Sequence, residues 1–209
     1  MSTYAFLSNN LKQTLVYYPI PKNANTSAKY FIIKHCGLEN QFNVPIDLNN
    51  RLLKEVNNRR SIASFIPSKQ KFGKVNSDFK ACILREPIKR FISAYTNRVM
   101  YRKDPGFFEH SVDMVIEKLE KLQFDNKHFL PQAYFIGKNL SYFDIVCCTN
   151  TLEIFSKAVN SFFNREIKFP RVKSNSSHLK LDLSNKQIDK LIKIYEDDLV
   201  LYEKYQKMN

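Results

Sequence analysis

Short apolar runs that stop at a turn and give way to helical stripes predict an α/β fold on a central, mostly parallel sheet flanked by helices. Three observations carry this reading. A strand–turn–helix pattern begins at Thr14, a second begins at Phe79, and a third apolar run, Phe143 to Cys148, is again followed by a helical stretch. Strands that alternate with helices need crossover connections, and crossovers make neighbouring strands parallel. The chain is also rich in core-forming residues, 44% hydrophobic and 13% aromatic, which excludes a disordered segment. At 209 residues against roughly 150 for a typical domain, residues 1–209 read as a single domain.

Taken in order, Thr14 to Ile20 reads TLVYYPI, a β-branched and aromatic run closed by Pro19 and Pro21, which suits a buried strand entering a turn. KNANTS follows, and then Ala28, Phe31, Ile32 and His35 fall at i, i+3, i+4 and i+7 of a helix, with Thr26 or Ser27 as its cap and Gly37 as its stop. From Leu38 to Asp78 the chain turns polar and Asn-rich and reads as an insertion, with a helix expected near Leu48 to Arg60. FKACIL, Phe79 to Leu84, is the second strand, and Pro87 suits the first turn of the next helix, whose apolar stripe is Ile88, Phe91, Ile92, Tyr95 and Val99. A further helix is expected over Ser111 to Leu122 on the stripe Val112, Val115, Leu119 and Leu122. After the third strand, Asn150 with Glu153 and later Ser184 with Gln187 have capping spacing. The last helix should bury Ile188, Leu191, Ile192, Tyr195, Leu199 and Tyr202.

The net charge of +13 and a sequence pI near 9.5 call for an anionic partner. Nucleic acid, lipid headgroups, nucleotides and acidic polysaccharides all qualify on charge alone. Cys36, Cys82 and the adjacent Cys147 and Cys148 form neither a disulfide framework nor a CxxC metal pair, which favours a reducing compartment. No two of the four His are spaced like metal ligands, and no metal is expected. The first twenty residues contain no long apolar run and no cleavage site, so the expected location is cytoplasmic, without a transmembrane segment.

In parallel α/β sheets, ligands sit beyond the carboxyl ends of strands. At the first such junction, Pro21-Lys22-Asn23-Ala24-Asn25-Thr26-Ser27 supplies a cation, small side chains, two hydroxyls and the N–H groups of a beginning helix, a set that suits phosphate or sulfate. At the second, Arg85 ends a strand and Ser93 lies one to two turns into the next helix, so a guanidinium and a hydroxyl can share another phosphate. Two anion cradles point to a ligand phosphorylated in two places. A nucleotide-triphosphate loop, and with it a kinase-like enzyme, fits less well because the segment lacks the glycines of GxxxxGK[ST] and its lysine precedes the turn.

YYPIPKNANTS followed by ILREPIKRFISAY resembles the paired signatures of sulfotransferases that use 3′-phosphoadenosine-5′-phosphosulfate (PAPS): a PKxxxTS-type loop and an RxPxxRFxSAY-type segment. Asp125 to Gln132, DNKHFLPQ, is similar to the D-x-H-x-x-PQ region of the carbohydrate, Golgi-type branch, and the ending IYEDDLVLYEKY is similar to that branch's final helix. The likeness runs from Thr14 to Tyr205. It departs from the family pattern at Glu86, where Asp is usual, at Ala24 and Asn25, where Gly or Ser is frequent, and by one extra residue between Asp125 and His128.

The resemblance implies a P-loop-like three-layer sulfotransferase fold and a PAPS-dependent transfer of a sulfuryl group to a hydroxyl, with a saccharide as the expected acceptor. It implies that Lys22, the backbone from Asn23 through Ala24 and Asn25 to Thr26, and the hydroxyls of Thr26 and Ser27 hold the 5′-phosphosulfate. By the same route Arg85 and Ser93 hold the 3′-phosphate, Asn175 and Ser177 add donor contacts, and His128 is the base. Other roles stay open at this stage: Lys22 as a solvated turn lysine, His128 as a structural histidine, Arg85 capping a neighbouring helix or paired with Glu86, and Arg90 either on the cofactor or in a surface ion pair. A basic nucleic-acid-binding module is the rival from another class, without a stacking platform or recognition-helix motif to support it, and an idle relative that keeps the fold is a third.

Overall fold

The computed structural model describes residues 4–10, 13–35, 37, 63–67, 77–106, 109–123, 126–170 and 179–208. Five strands form one sheet in the order β3-β1-β2-β4-β5, with β1 Tyr4–Asn10, β2 Gln13–Tyr18, β3 Ala63–Pro67, β4 Phe79–Leu84 and β5 Ile145–Cys148. The three expected strands β2, β4 and β5 are its parallel part, in register Tyr18↔Cys82 and Leu84↔Cys148. The structure adds β1 and β3, which pair antiparallel. Residues 38–78, read as an insertion, therefore contribute a sheet strand, while the helix expected near Leu48 to Arg60 lies outside the described residues.

The helices are α1 Asn25–His35, α2 Pro87–Tyr95, α3 Val112–Glu120, α4 Gln132–Ile136, α5 Leu152–Phe163, α6 Asn185–Ile194 and α7 Glu196–Met208. The chain packs as two compact units, Met1–Leu84 with Phe135–Val172, and Arg85–Tyr134 with Lys173–Asn209.

In the first unit Leu15, Tyr17, Ala81, Ile83 and Cys147 alternate along their strands, so one sheet face meets Ala28, Phe31 and Ile32 of α1 and Phe155 and Val159 of α5. The residues between them, Val16, Cys82, Leu84, Val146 and Cys148, are buried as well, as expected for parallel strands covered on both faces. Each such large apolar side chain contributes roughly 1.5–3 kcal/mol on burial. The stripe predicted for α1 is buried in full, His35 included. Gly37 turns the chain out at φ +71° with its N–H on the Lys34 carbonyl, and Arg165 donates to the Lys34 and His35 carbonyls at 3.3 and 2.8 Å, satisfying the helix end. The third strand starts at Ile145 instead of Phe143, because the Asp144 carboxylate accepts the Lys80 N–H at the edge of the ladder. The cap of α5 is Thr151, not Asn150; its hydroxyl is engaged with Cys148.

The second unit packs Phe91, Tyr95 and Val99 against Val115, Leu119, Phe129, Leu191 and Tyr195. Beyond Tyr95 the expected helix opens into a π turn, Thr96–Tyr101, where the Thr96 hydroxyl donates back to the Ile92 carbonyl. Ser111 caps α3, which ends before Leu122; that residue is 78% exposed at φ +57° and is not part of the buried stripe. The Ser184–Gln187 capping box is formed. The single final helix is instead two, broken at Tyr195, and the break shifts the phase so that Asp198, Leu201 and Tyr205 are the buried residues of α7; Ile192, in α6 before the break, is 42% exposed and is not part of the buried stripe.

Candidate active site

The loop between β2 and α1 is built on left-handed backbone without glycine: Lys22 has φ +73° and Ala24 φ +52°. That conformation costs an L-residue roughly 1–2 kcal/mol, so the surroundings must hold it. Asn23 does so. It is fully buried, its N–H donates to the Ile20 carbonyl at 3.2 Å, and its Nδ2 donates to the Ile83 carbonyl on β4 at 2.8 Å. The loop is thus tied to the strand whose last residue, Leu84, precedes Arg85.

Helix α1 begins at Asn25, two residues earlier than a Thr26 cap allows and three earlier than a Ser27 cap. The Ala28 N–H donates to the Ala24 carbonyl, which puts Ala24 at the capping position and Asn25, Thr26 and Ser27 in the first turn. Alanine has no side-chain acceptor for the first-turn N–H groups, and that turn holds no acidic residue. A helix end of this kind, beside the half-buried Lys22, is electrostatically suited to an anion.

In the second unit Glu86 is the cap of α2, accepting from Ile88 N at 2.8 Å and Lys89 N at 2.7 Å, with Pro87 in the first turn. Glu at this position thus performs the capping for which a shorter acid is well suited. Arg85 is fixed through its backbone: its N–H donates to Gln132 Oε1 at 3.0 Å, and Gln132 Nε2 donates to its carbonyl at 2.9 Å. Burial, and then the Arg90 cation, hold the Arg85 pKa below the ordinary arginine value. A guanidinium so destabilised in its charged form gains from a bound anion. Ser93 lies on α2 six residues after Pro87, a rise of about 9 Å along the axis.

Arg90 is buried, not at the surface. Its guanidinium donates to the His128 carbonyl at 3.2 Å and to the Leu130 carbonyl, lies 3.8 Å from Asp198 Oδ2, and sits over the Tyr195 ring. Asp198 in turn accepts from Gln132 N at 2.7 Å and Ala133 N at 2.9 Å, while Tyr195 Oη donates to the Phe129 carbonyl at 2.7 Å. Burial raises the Asp198 pKa, opposed first by Arg90 and then by those two N–H groups. The clamp explains why three separate motifs carry Arg90, the 128–132 stretch and Asp198: together they set the backbone that presents Arg85 and His128.

His128 is half-buried. Its backbone N–H and its Nδ1 both approach Asn126 Oδ1, at 3.0 and 2.7 Å.

Of the residues singled out in the sequence, Lys22 to Ser27 belong to the first unit, and Arg85, Ser93 and His128 to the second. Asn175, Ser177 and Asp125 lie outside the described residues. Sequence reasoning gave no role to Gln132, Asp198 and Asn126, although each sits inside a quoted motif, and it passed over Asp104 altogether. Cys82, Cys147 and Cys148 are buried free thiols. Among the described residues no group of three or more His, Cys, Asp or Glu could hold a metal ion, and no helix is long and apolar enough to cross a membrane.

The model of the Sulfotransferase family matches residues 9–206, almost the whole chain and parts of both units, and the chain belongs to that family. Its reaction class is accordingly sulfuryl transfer. None of the curated proteins matches the chain.

Proposed function

We propose that the chain transfers a sulfuryl group from PAPS to a carbohydrate hydroxyl, with residues 1–209 acting as one catalytic domain. The observation that carries this is the start of α1 in a chain of this family: a turn lysine, an alanine at the capping position, and first-turn N–H groups with no acidic neighbour. Such a helix end favours the phosphosulfate of a donor. PAPS supplies the activated sulfuryl group and a phosphate leaving group.

In this reading Lys22, the backbone of residues 23–26 and the hydroxyls of Thr26 and Ser27 hold the 5′ end. Lys22 and the helix N-terminus take up the negative charge that grows on the bridging oxygen as the S–O bond breaks and its electron pair stays with phosphate. Arg85 and Ser93 hold the 3′-phosphate, and the lowered pKa of Arg85 supports that assignment. Asn175 and Ser177 are further donor contacts. His128 accepts the proton of the acceptor hydroxyl while that oxygen bonds to sulfur. The carbohydrate acceptor rests on the likeness of residues 125–132 to the carbohydrate branch.

The test is mass-spectrometric detection of sulfation with PAPS as donor across neutral and acidic saccharides, phenols and steroid alcohols. Transfer to a saccharide is expected, with kcat lowered about 100-fold or more in Lys22→Ala and His128→Ala. Transfer only to phenols or steroids would overturn the carbohydrate assignment, and no transfer to any acceptor would overturn the reaction.

A further inference from the structure

The side chain of His128 ends a row that begins on the π turn. Asp104 N donates to the Arg98 carbonyl at 2.9 Å, folding the chain back so that Arg98 Nε lies 2.8 Å from Asp104 Oδ2. The same carboxylate oxygen accepts from Asn126 Nδ2 at 2.9 Å. Asn126 Oδ1 then meets both the His128 N–H and His128 Nδ1.

The chemistry of each member fixes the next. A carboxylate only accepts, so the amide nitrogen of Asn126 faces Asp104. The backbone N–H of His128 only donates, so the amide oxygen faces His128. Turning the amide over would set oxygen against carboxylate and nitrogen against N–H. With an acceptor-only oxygen 2.7 Å away, His128 Nδ1 must carry the proton, and in the neutral ring the lone pair belongs to Nε2.

We propose that Asn126, braced by Asp104 and Arg98, is a positioning residue that holds His128 as the Nδ1–H tautomer and so makes Nε2 the proton-accepting nitrogen. The inference rests on the reading of His128 as the base. On transfer the hydroxyl proton goes to Nε2, and the resulting imidazolium keeps its Nδ1–H on Asn126. The opposite tautomer would present an N–H to the hydroxyl and could not take its proton.

With only four His in the chain, long-range ¹H–¹⁵N correlation at alkaline pH reads the tautomer directly, with His128→Gln identifying the signal. The wild-type ring is expected as Nδ1–H. In Asn126→Leu it should invert to Nε2–H, with kcat about 100-fold lower and the donor KM changed less than about twofold. The swap Asp104→Asn with Asn126→Asp keeps an acceptor on Nδ1 and should restore the Nδ1–H form.

A wild-type ring in the Nε2–H form, or an Asn126→Leu ring that stays Nδ1–H, overturns the proposal. If Asn126→Leu does not fold, the wild-type spectrum and the swap decide the matter. Because the spectrum needs neither donor nor acceptor, an inactive chain with an Nδ1–H ring would contradict the proposed function alone, and an active chain with an Nε2–H ring would contradict this inference alone.

Discussion

Replacing Gln132 with leucine isolates the contact that shapes the Arg85 junction. Leucine nearly conserves the buried volume, so the cavity contribution is small. What changes is the pair of hydrogen bonds at 3.0 and 2.9 Å that close both polar groups of the Arg85 backbone. Leaving a buried N–H or carbonyl unsatisfied costs about 1–3 kcal/mol each, and the added apolar burial returns about 1, so we predict a loss of about 3 kcal/mol. For a chain of this size that is a drop in Tm of roughly 6–12 °C. Urea denaturation followed by circular dichroism should show a lower midpoint at unchanged m, and the Arg85 amide should exchange its hydrogen markedly faster. A loss below about 0.5 kcal/mol, with the Arg85 amide equally protected, would refute the idea that Gln132 holds this strand end.

Arg90→Met should be more damaging, about 3–5 kcal/mol, because it strands the buried Asp198 carboxylate and two carbonyls; Arg90→Lys should fail to rescue, since one ammonium cannot replace the planar fork. Thermal melts of both variants check this, and a melt of Arg90→Lys equal to the wild type would contradict it. His35, buried between Phe31 and Phe163, has its pKa held down to about 4 by burial, from the ordinary 6.5. The unfolded chain therefore takes up this proton first as pH falls, so stability is full above pH 6.5, declines towards pH 4 and is level below it for this group, a change of about 3 kcal/mol. The urea midpoint of the wild type should fall relative to that of His35→Leu as pH drops across that window, and a constant difference would argue against a neutral buried imidazole.

The parts of this fold that were legible in sequence are those set by neighbours along the chain. The α1 stripe, the Ser184–Gln187 box, Pro87 in the first turn of α2 and the three parallel strands all follow from local pattern. The misses are places where local pattern is overridden. Nothing in the spacing of Ile188 to Tyr202 announces a break at Tyr195, yet that break puts Asp198 in place of Leu199 on the buried face. PKNANTS contains no glycine, so two left-handed residues there were not foreseeable; Asn23 holds them through a strand sixty residues away. The site was legible as a set of residue types, but not as a framework. Gln132 meets Arg85 across 47 residues and Asn126 meets Asp104 across 22, pairings that only the folded chain brings together.

Calorimetric binding of adenosine 3′,5′-bisphosphate, compared with adenosine 5′-monophosphate, tests the donor assignment most directly. The account predicts that the bisphosphate binds more tightly, that Arg85→Ala removes this preference while leaving monophosphate binding in place, and that Lys22→Ala weakens both nucleotides. Equal affinity for the two, unchanged by either substitution, would contradict it.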